Sequence, residues 1–127
     1  MSLIKGMHHV CLKCCGGDEF SKVQDFYGNV LGLQKVRESS GSVMYDLGGA
    51  LLEIFSNGKE HLPQGVWRHV ALATDDVDAC VKAVSEAGYP ITSAPMDIVL
   101  GGNPPMPVRV AFCLGPMGEE IEFFHEK

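Results

Sequence analysis

The sequence predicts an α+β fold built from two copies of one β-α-β-β-β unit. Three observations support this prediction. The order of strand-like and helix-like segments repeats once along the chain, a His-Val-x-Leu stretch occurs in both halves, and a Glu followed by two apolar residues closes both halves. Self-similarity of this kind indicates two copies of one supersecondary unit. We place the two modules at about residues 4–56 and 66–127 of a single domain, 1–127.

The first half begins with a strand over Met7–Lys13, where apolar residues alternate with others. A Gly-Gly pair ends it, and Asp18 is a candidate helix N-cap. Apolar residues at helical spacing then continue to Gly32, which suits a left-handed C-terminal cap. Three strand-like runs follow, separated by glycines: Leu33–Arg37, Val43–Leu47 and Leu51–Phe55.

The order of elements begins again after a polar linker over 57–65. A strand is predicted over Val66–Ala73, followed by a helix that Asp75 or Asp76 caps and that ends at Gly88. The stretch 101–107, rich in Gly and Pro, is most simply a connection, with a lid over a site as the alternative. The three remaining predicted strands are Pro90–Ser93, Val108–Leu114 and Glu120–Phe124.

Composition excludes several classes of protein. The chain has 127 residues, is 46% hydrophobic and 20% charged, and should therefore form a packed core. Its net charge of −6 argues against a nucleic-acid surface, which needs clustered positive charge. The apolar runs are far shorter than the roughly 20 residues that span a bilayer, so we expect no membrane contact.

The cysteines favour a reducing, cytoplasmic compartment. There are five of them, an odd number, and no secretory signal is recognisable before them. Cys11 and Cys14 form a C-x-x-C pair, but residues three apart on a strand face opposite sides, and no second pair completes a zinc site. Cys11 shares its predicted strand face with His9, where it either lies near a metal or simply packs.

Two histidines and two glutamates occupy matching places in the two halves. His9 and His69 each begin a His-Val-x-Leu stretch, while Glu53 and Glu122 each precede two apolar residues at the end of a half. Both glutamates lie in strands whose alternate residues should be buried. A buried, unpaired carboxylate is so costly that each must be paired, protonated or bound to a cation.

If the halves fold together about a pseudo-two-fold axis, these side chains can converge. Two imidazoles and two carboxylates suit a divalent first-row metal, which keeps open positions for water or substrate if it is six-coordinate. Each residue alone has an ordinary alternative: a strand histidine bonded to the backbone, a salt bridge of Glu53 with Arg37 or Arg68, or an acidic surface around Glu122. Only their joint occurrence favours a metal. The predicted metal ligands are His9, Glu53, His69 and Glu122.

The sequence resembles the vicinal-oxygen-chelate superfamily, which includes glyoxalase I, bleomycin-resistance proteins and extradiol dioxygenases. The resemblance implies paired βαβββ modules that curve into a cup-like mixed sheet around a metal. It covers nearly the whole chain. The stretches that carry it are His8–Leu12, Phe26–Leu33, Leu52–Phe55, Arg68–Leu72 with Asp75–Asp78 behind it, and Gly115–Phe123.

Within this superfamily, the His, Glu, His, Glu set is similar to that of glyoxalase I. The resemblance therefore implies a lyase or isomerase that acts on the hemithioacetal of a 2-oxoaldehyde by proton transfer through an enediolate. Glu122 is the first choice for the general base and Glu53 the second. The short chain is similar to bacterial enzymes that prefer nickel or cobalt, with zinc, manganese and iron as alternatives.

Two other functions remain open at this point. Extradiol dioxygenases use two His and one Glu on iron, and bleomycin-resistance proteins bind a small molecule without catalysis or metal. In each case the expected partner is a small molecule, and the resemblance implies a homodimer, with the four ligands coming from one chain or two from each of two chains. Arg37, Arg68 and Arg109 are candidate carboxylate holders by chemistry alone, with ordinary ion pairs as the alternative.

Overall fold

The computed structural model describes residues 2–3, 5–62 and 65–127. The chain divides into two compact units, Met1–His61 and Leu62–Lys127. Each unit contains one four-stranded sheet and one helical segment between its first two strands. No helix among the described residues is both long enough and apolar enough to cross a membrane.

The first unit runs β-α-β-β-β. The sheet order is β1-β4-β3-β2, in which β1 pairs in parallel with β4 and the other neighbours are antiparallel. The helix α1 continues directly into a π-helical turn over Asp25–Val30. The elements are β1 His9–Lys13, α1 Gly16–Gln24, β2 Lys35–Ser39, β3 Ser42–Asp46 and β4 Leu51–Phe55.

The second unit repeats the same topology. Its sheet order is β5-β8-β7-β6, again with the first strand parallel to the last. The elements are β5 Val70–Ala73, α2 Val77–Glu86, β6 Ile91–Leu100, β7 Met106–Leu114 and β8 Glu120–Glu126. The predicted α+β class with two βαβββ modules is therefore confirmed.

Of the two predicted helix N-caps, one is confirmed and the other is wrong. Asp76 caps α2, since its Oδ1 accepts a hydrogen bond from the backbone N–H of Ala79 at 2.9 Å. Asp18 does not cap α1, which begins earlier with Cys15 at the N-cap. The backbone N–H of Cys15 is bonded instead by the Glu19 carboxylate at 3.1 Å, so a residue one turn later does the capping. Gly32 follows the π-helical turn with φ +72°, as predicted for a left-handed cap.

Two strands, β5 and β6, differ most from the prediction. β5 begins at Val70 rather than Val66, because β8 pairs with it only from that residue onward, and Trp67 before it is 80% exposed. β6 continues to Leu100 rather than ending at Ser93. The polar residues and Pro95 of β6 are not typical of a strand, so the second part of β6 was not predicted. β6 lies at the edge of its sheet, where proline is tolerated, and its register with β7 shifts. Residues 101–105 of the Gly/Pro-rich stretch form the hairpin connection between β6 and β7, and Met106 and Pro107 belong to β7.

Burial divides each last strand into two faces. Leu52 and Ile54 of β4 are almost fully buried, whereas Glu53 between them keeps a small part of its side chain exposed. In β8, Ile121 and Phe123 are buried in the same way, and the intervening residues point to the other face. The most deeply buried residues of each last strand therefore lie on one face of the sheet, and the glutamates project from the opposite face.

Candidate metal centre

The first candidate pair lies on β1 and β4. His9 lies opposite Leu51 in the parallel register, and Glu53 is two residues further along β4, so both side chains project from the same face. His9 Nε2 lies 3.8 Å from Glu53 Oε1. The Glu53 side chain is only 15% exposed. The pair brings one imidazole nitrogen and one carboxylate oxygen together.

The second candidate pair lies at the matching place in the other unit. Val70 pairs with Ile121, so His69, just before β5, lies next to the glutamates of β8. His69 Nε2 lies 3.3 Å from Glu122 Oε1, and the Glu122 side chain is 13% exposed. The two pairs therefore have the same chemistry and the same strand positions, although His69 precedes its strand and His9 lies within one.

The spacing within each pair can be compared with what a metal requires. Two donors with bonds of about 2.1 Å to one ion lie roughly 3.0 to 3.4 Å apart at octahedral or tetrahedral angles. The 3.3 Å between His69 and Glu122 falls in that range, and the 3.8 Å between His9 and Glu53 is slightly longer. The donor set of each pair therefore fits a divalent metal, with a small side-chain adjustment for the first.

A pair is not a complete metal site. Within residues 2–3, 5–62 and 65–127, no group of three or more His, Cys, Asp or Glu side chains is placed so that it could hold a metal ion. Each unit by itself therefore supplies two ligands of the four that the sequence predicts. A stable site for a first-row metal needs more protein ligands than one pair provides.

The electrostatics of the two pairs differ. Burial raises the pKa of Glu122, with His69 acting in the opposite direction and the like charge of Glu120 adding to the increase. On the other pair, the pKa of Cys11 is raised by partial burial and by the adjacent Glu53 carboxylate, to which its thiol is hydrogen-bonded. Cys11 lies directly opposite Glu53 in the β1–β4 register, so it is a neighbour of this pair.

His8 and Glu120 lie beside these pairs, and neither is among the metal ligands predicted from the sequence. His9 Nδ1 lies 2.9 Å from His8 Nδ1, and His69 Nδ1 lies 3.7 Å from Glu120 Oε1. Strand alternation places Glu120 on the same face as Glu122, so its position was predictable. The contact of Glu120 with His69 was not predictable, because it depends on the register between β5 and β8.

Arg109, a candidate carboxylate holder, forms ion pairs within its own unit. Its Nε and one terminal nitrogen donate to both oxygens of Asp78, at 2.8 and 2.9 Å, and another terminal nitrogen lies 3.3 Å from Asp97. Its guanidinium is therefore engaged by two carboxylates of its own unit. This is the ordinary ion-pair alternative.

Comparison with known proteins identifies the family of this chain. A family model described as the Glyoxalase/Bleomycin resistance protein/Dioxygenase superfamily matches residues 6–123. The chain belongs to this superfamily. None of the curated protein sequences matches this chain. The family therefore rests on the match over nearly the full length.

Several solved structures have a similar fold. A glyoxalase/bleomycin resistance protein/dioxygenase from Alicyclobacillus acidocaldarius aligns with a TM-score of 0.68 at 20% identity, over 96% of this chain and 92% of that one. A glyoxalase/dioxygenase from Nostoc punctiforme aligns with a TM-score of 0.68 at 19% identity, over 97% and 92%. A virulence protein from Salmonella typhimurium aligns at 0.67 and 18% identity, over 98% of both chains. At these identities the likeness shows a shared vicinal-oxygen-chelate fold, which hosts several functions.

Proposed function

We propose that this chain is a metal-dependent lyase or isomerase of the glyoxalase I type. The observation that supports the proposal is the equivalence of the two His–Glu pairs, each with an imidazole Nε2 facing a carboxylate oxygen on the same side of a matching sheet. Members of the superfamily usually bind a divalent metal. The proposed ligands are His9, Glu53, His69 and Glu122.

The proposal requires both pairs on one metal. The pairs come either from one chain or from two chains of a homodimer, in which each metal takes one pair from each chain. Nickel and cobalt are the favoured ions, with zinc, manganese and iron as alternatives. All of these accept mixed imidazole and carboxylate ligands.

A divalent metal bound there would supply a Lewis acid beside the oxygens of the substrate. The chain itself supplies the proton transfer, and Glu122 is the first candidate for the base. Its partial burial raises its pKa, which makes its carboxylate a stronger base than an exposed glutamate. A carboxylate bound to a cation is a weaker base, so Glu122 has to be free of the metal when it accepts the proton. Glu53 is the second candidate.

The proposed substrate is the hemithioacetal of a 2-oxoaldehyde. Glu122 takes the proton from the carbon that bears the sulfur and the hydroxyl group, which gives an enediolate, and returns it to the neighbouring carbon. The hydroxyl oxygen loses its proton and becomes the thioester carbonyl, and the former ketone oxygen gains a proton and becomes a hydroxyl. Substrate and product are isomers, so the reaction consumes no oxidant and no reductant.

A cytoplasmic setting fits this chemistry. Cys11 and Cys15 are thiols exposed to solvent. Thiols persist in reducing compartments, which also hold the small thiols that form hemithioacetals. We therefore propose a cytoplasmic enzyme.

The test is metal content followed by activity. Metal-stripped protein is reloaded with Ni²⁺, Co²⁺, Zn²⁺, Mn²⁺ or Fe²⁺, dialysed, analysed for bound metal, and assayed for thioester formation from methylglyoxal with glutathione or another thiol. We expect stoichiometric metal and thioester formation, with both lost in His69→Ala. His61→Ala is the matched control, because His61 pairs with Glu19 at 3.2 Å and belongs to neither proposed pair.

Three outcomes contradict the proposal. Protein that holds no metal after reloading overturns the metal site. Oxygen uptake with a catechol by the iron form, without thioester formation, indicates an extradiol oxygenase instead. Tight binding of a small molecule by metal-free protein, with no turnover, indicates a resistance-type binder.

A further inference from the structure

His69 has a carboxylate at each of its ring nitrogens. Nε2 lies 3.3 Å from Glu122 Oε1, and Nδ1 lies 3.7 Å from Glu120 Oε1. The two nitrogens lie on different sides of the ring, so a metal bound at Nε2 is out of reach of a carboxylate at Nδ1. Glu120 is therefore placed behind the imidazole rather than among the ligands.

The first unit has a different residue behind its histidine. The residue that matches Glu120 is Leu51, which likewise lies two positions before the glutamate of the pair and opposite His9. The Nδ1 atom of His9 faces His8 Nδ1 at 2.9 Å instead. One proposed metal histidine thus has an imidazole behind it and the other has a carboxylate.

The backbone holds the two histidines differently. His9 is the first residue of β1 and lies opposite Leu51 within the sheet, whereas His69 precedes the first residue of β5. Side-chain contacts must therefore do more to orient the His69 ring. Phe112 provides one of them, with its ring edge-on to His69 at a centroid distance of 5.6 Å. Glu120 provides the polar one.

We propose that Glu120 is a positioning residue for His69. It accepts a hydrogen bond from the Nδ1–H of His69, which fixes the tautomer with an unprotonated Nε2 and makes the imidazole a stronger ligand. The present 3.7 Å is an ion-pair distance, and a shift of roughly 1 Å makes it a hydrogen bond. This inference rests on the proposed function, because it assumes a metal at Nε2.

The inference makes the two halves of the metal site unequal. His69 is held by an anion, and His9 by another imidazole. Loss of the residue behind a metal-ligating histidine typically weakens metal binding by about 10- to 100-fold. We expect that loss when Glu120 is removed, with the ligands themselves intact.

The experiment compares Glu120→Leu and Glu120→Gln with a matched control. Leucine is the residue that the first unit has at this position, and glutamine keeps an acceptor without the charge. Glu126→Gln removes one negative charge from the same strand at an exposed position, roughly 20 Å along β8. Dissociation constants for Co²⁺ and Ni²⁺ are measured by chelator competition, and ¹⁵N NMR of the metal-free protein reports which nitrogen of His69 carries the proton.

We expect Co²⁺ and Ni²⁺ to bind about 10- to 100-fold more weakly to Glu120→Leu, with a smaller loss in Glu120→Gln and less than about twofold change in Glu126→Gln. The Nδ1–H signal of His69 should weaken or broaden in Glu120→Leu. Wild-type affinity in both Glu120 variants, with an unchanged His69 tautomer, overturns the inference and leaves the metal proposal standing. Failure of the wild-type protein to bind metal overturns the proposed function and this inference with it. Glu120→Gln, which keeps size and shape, decides the question if Glu120→Leu does not fold.

Discussion

His69 Nε2 and Glu122 Oε1 lie 3.3 Å apart, the closer of the two matching histidine–glutamate contacts. The contact joins the start of the first strand of the second unit to its last strand. It also places the candidate base beside a candidate metal ligand. The first prediction follows from this arrangement.

Glu122→Gln should abolish most of the proposed activity while much of the metal stays bound. An amide cannot accept the proton, and general bases typically contribute about 10²- to 10⁴-fold to rate. Turnover and bound metal are measured on the same preparation. Glu53→Gln is the comparison, because Glu53 is only the second candidate for the base, so we expect it to lose less activity. Near-normal turnover of Glu122→Gln with metal retained would show that Glu122 is not the base.

Arg109→Met should lower the melting temperature slightly at neutral pH. Its guanidinium holds the pKa of Asp78 below the usual value, so the interaction stabilises the fold above the unfolded pKa of about 4. That stabilisation is lost as the pH falls through the folded pKa of Asp78. The difference in melting temperature between wild type and variant should therefore shrink below about pH 4.

Lys82→Gln is the control for this ion-pair prediction. The Lys82–Glu86 pair spans 4.0 Å between exposed side chains on α2, and such pairs contribute little. The melting temperature of Lys82→Gln should match that of wild type. A larger loss in Lys82→Gln than in Arg109→Met would contradict the assignment.

Asp76→Ala should destabilise the fold by about 1 kcal/mol, since it removes the N-cap of α2. Urea unfolding followed by circular dichroism gives the free energy of unfolding. Asp75→Ala removes the neighbouring carboxylate and keeps the cap, so its effect should stay within about 0.5 kcal/mol. Equal losses in the two variants would show that capping is not the cause.

The cysteines should differ in reactivity. Cys15 is exposed, whereas Cys113 is buried and burial raises its pKa to about 12. With iodoacetamide near pH 8, mass spectrometry should find Cys15 modified early and Cys113 only after unfolding. Rapid modification of Cys113 in the folded protein would contradict its burial.

The raised pKa of Cys113 also predicts alkaline destabilisation. The folded state holds this proton more tightly than the unfolded state, whose cysteine pKa is about 8.5. The contribution of Cys113 to stability is complete below about pH 8.5 and is lost as the pH rises toward about 12. Cys113→Ala should remove this part of the pH dependence, measured as melting temperature between neutral and alkaline pH.

Two glycine substitutions should have opposite signs. A Cβ at Gly58 would lie 2.7 Å from the backbone oxygen of Cys14, to which the Gly58 N–H also donates, so Gly58→Ala should destabilise. Gly17 lies within α1 with open space around its Cβ position, so Gly17→Ala should stabilise by about 0.5 to 1 kcal/mol. Both are measured by denaturant unfolding, and a stabilised Gly58→Ala would contradict the close approach.

The architecture was predictable because the duplication is visible both in repeated residues, such as His-Val-x-Leu, and in the repeated order of strand-like and helix-like segments. The strand Leu51–Phe55 was predicted at its observed limits, since Gly48 and Gly49 precede it and apolar residues fill it. β6 was predicted too short, because an edge strand tolerates Pro95 and polar residues that resemble a loop. The cap of α1 was misplaced because Glu19 supplies the acceptor from within the helix.

The candidate site was predictable to the level of the pairs. The repeat gave the four residues, and the register of each sheet brings His9 to Glu53 and His69 to Glu122. The residues behind the histidines were not predictable in the same way. His8 is adjacent to His9 in sequence, but the contact between Glu120 and His69 depends on a parallel pairing that local patterns do not encode. No motif in the sequence identifies the substrate in a comparable way.

The parallel pairing of the first and last strands has a consequence for synthesis on the ribosome. In each unit the histidine precedes or opens the first strand, and its glutamate arrives with the strand that completes the sheet. A nascent chain that ends before β4 or before β8 contains the imidazole without its carboxylate partner. Each pair can therefore form only after the last strand of its unit has been translated and has paired with the first.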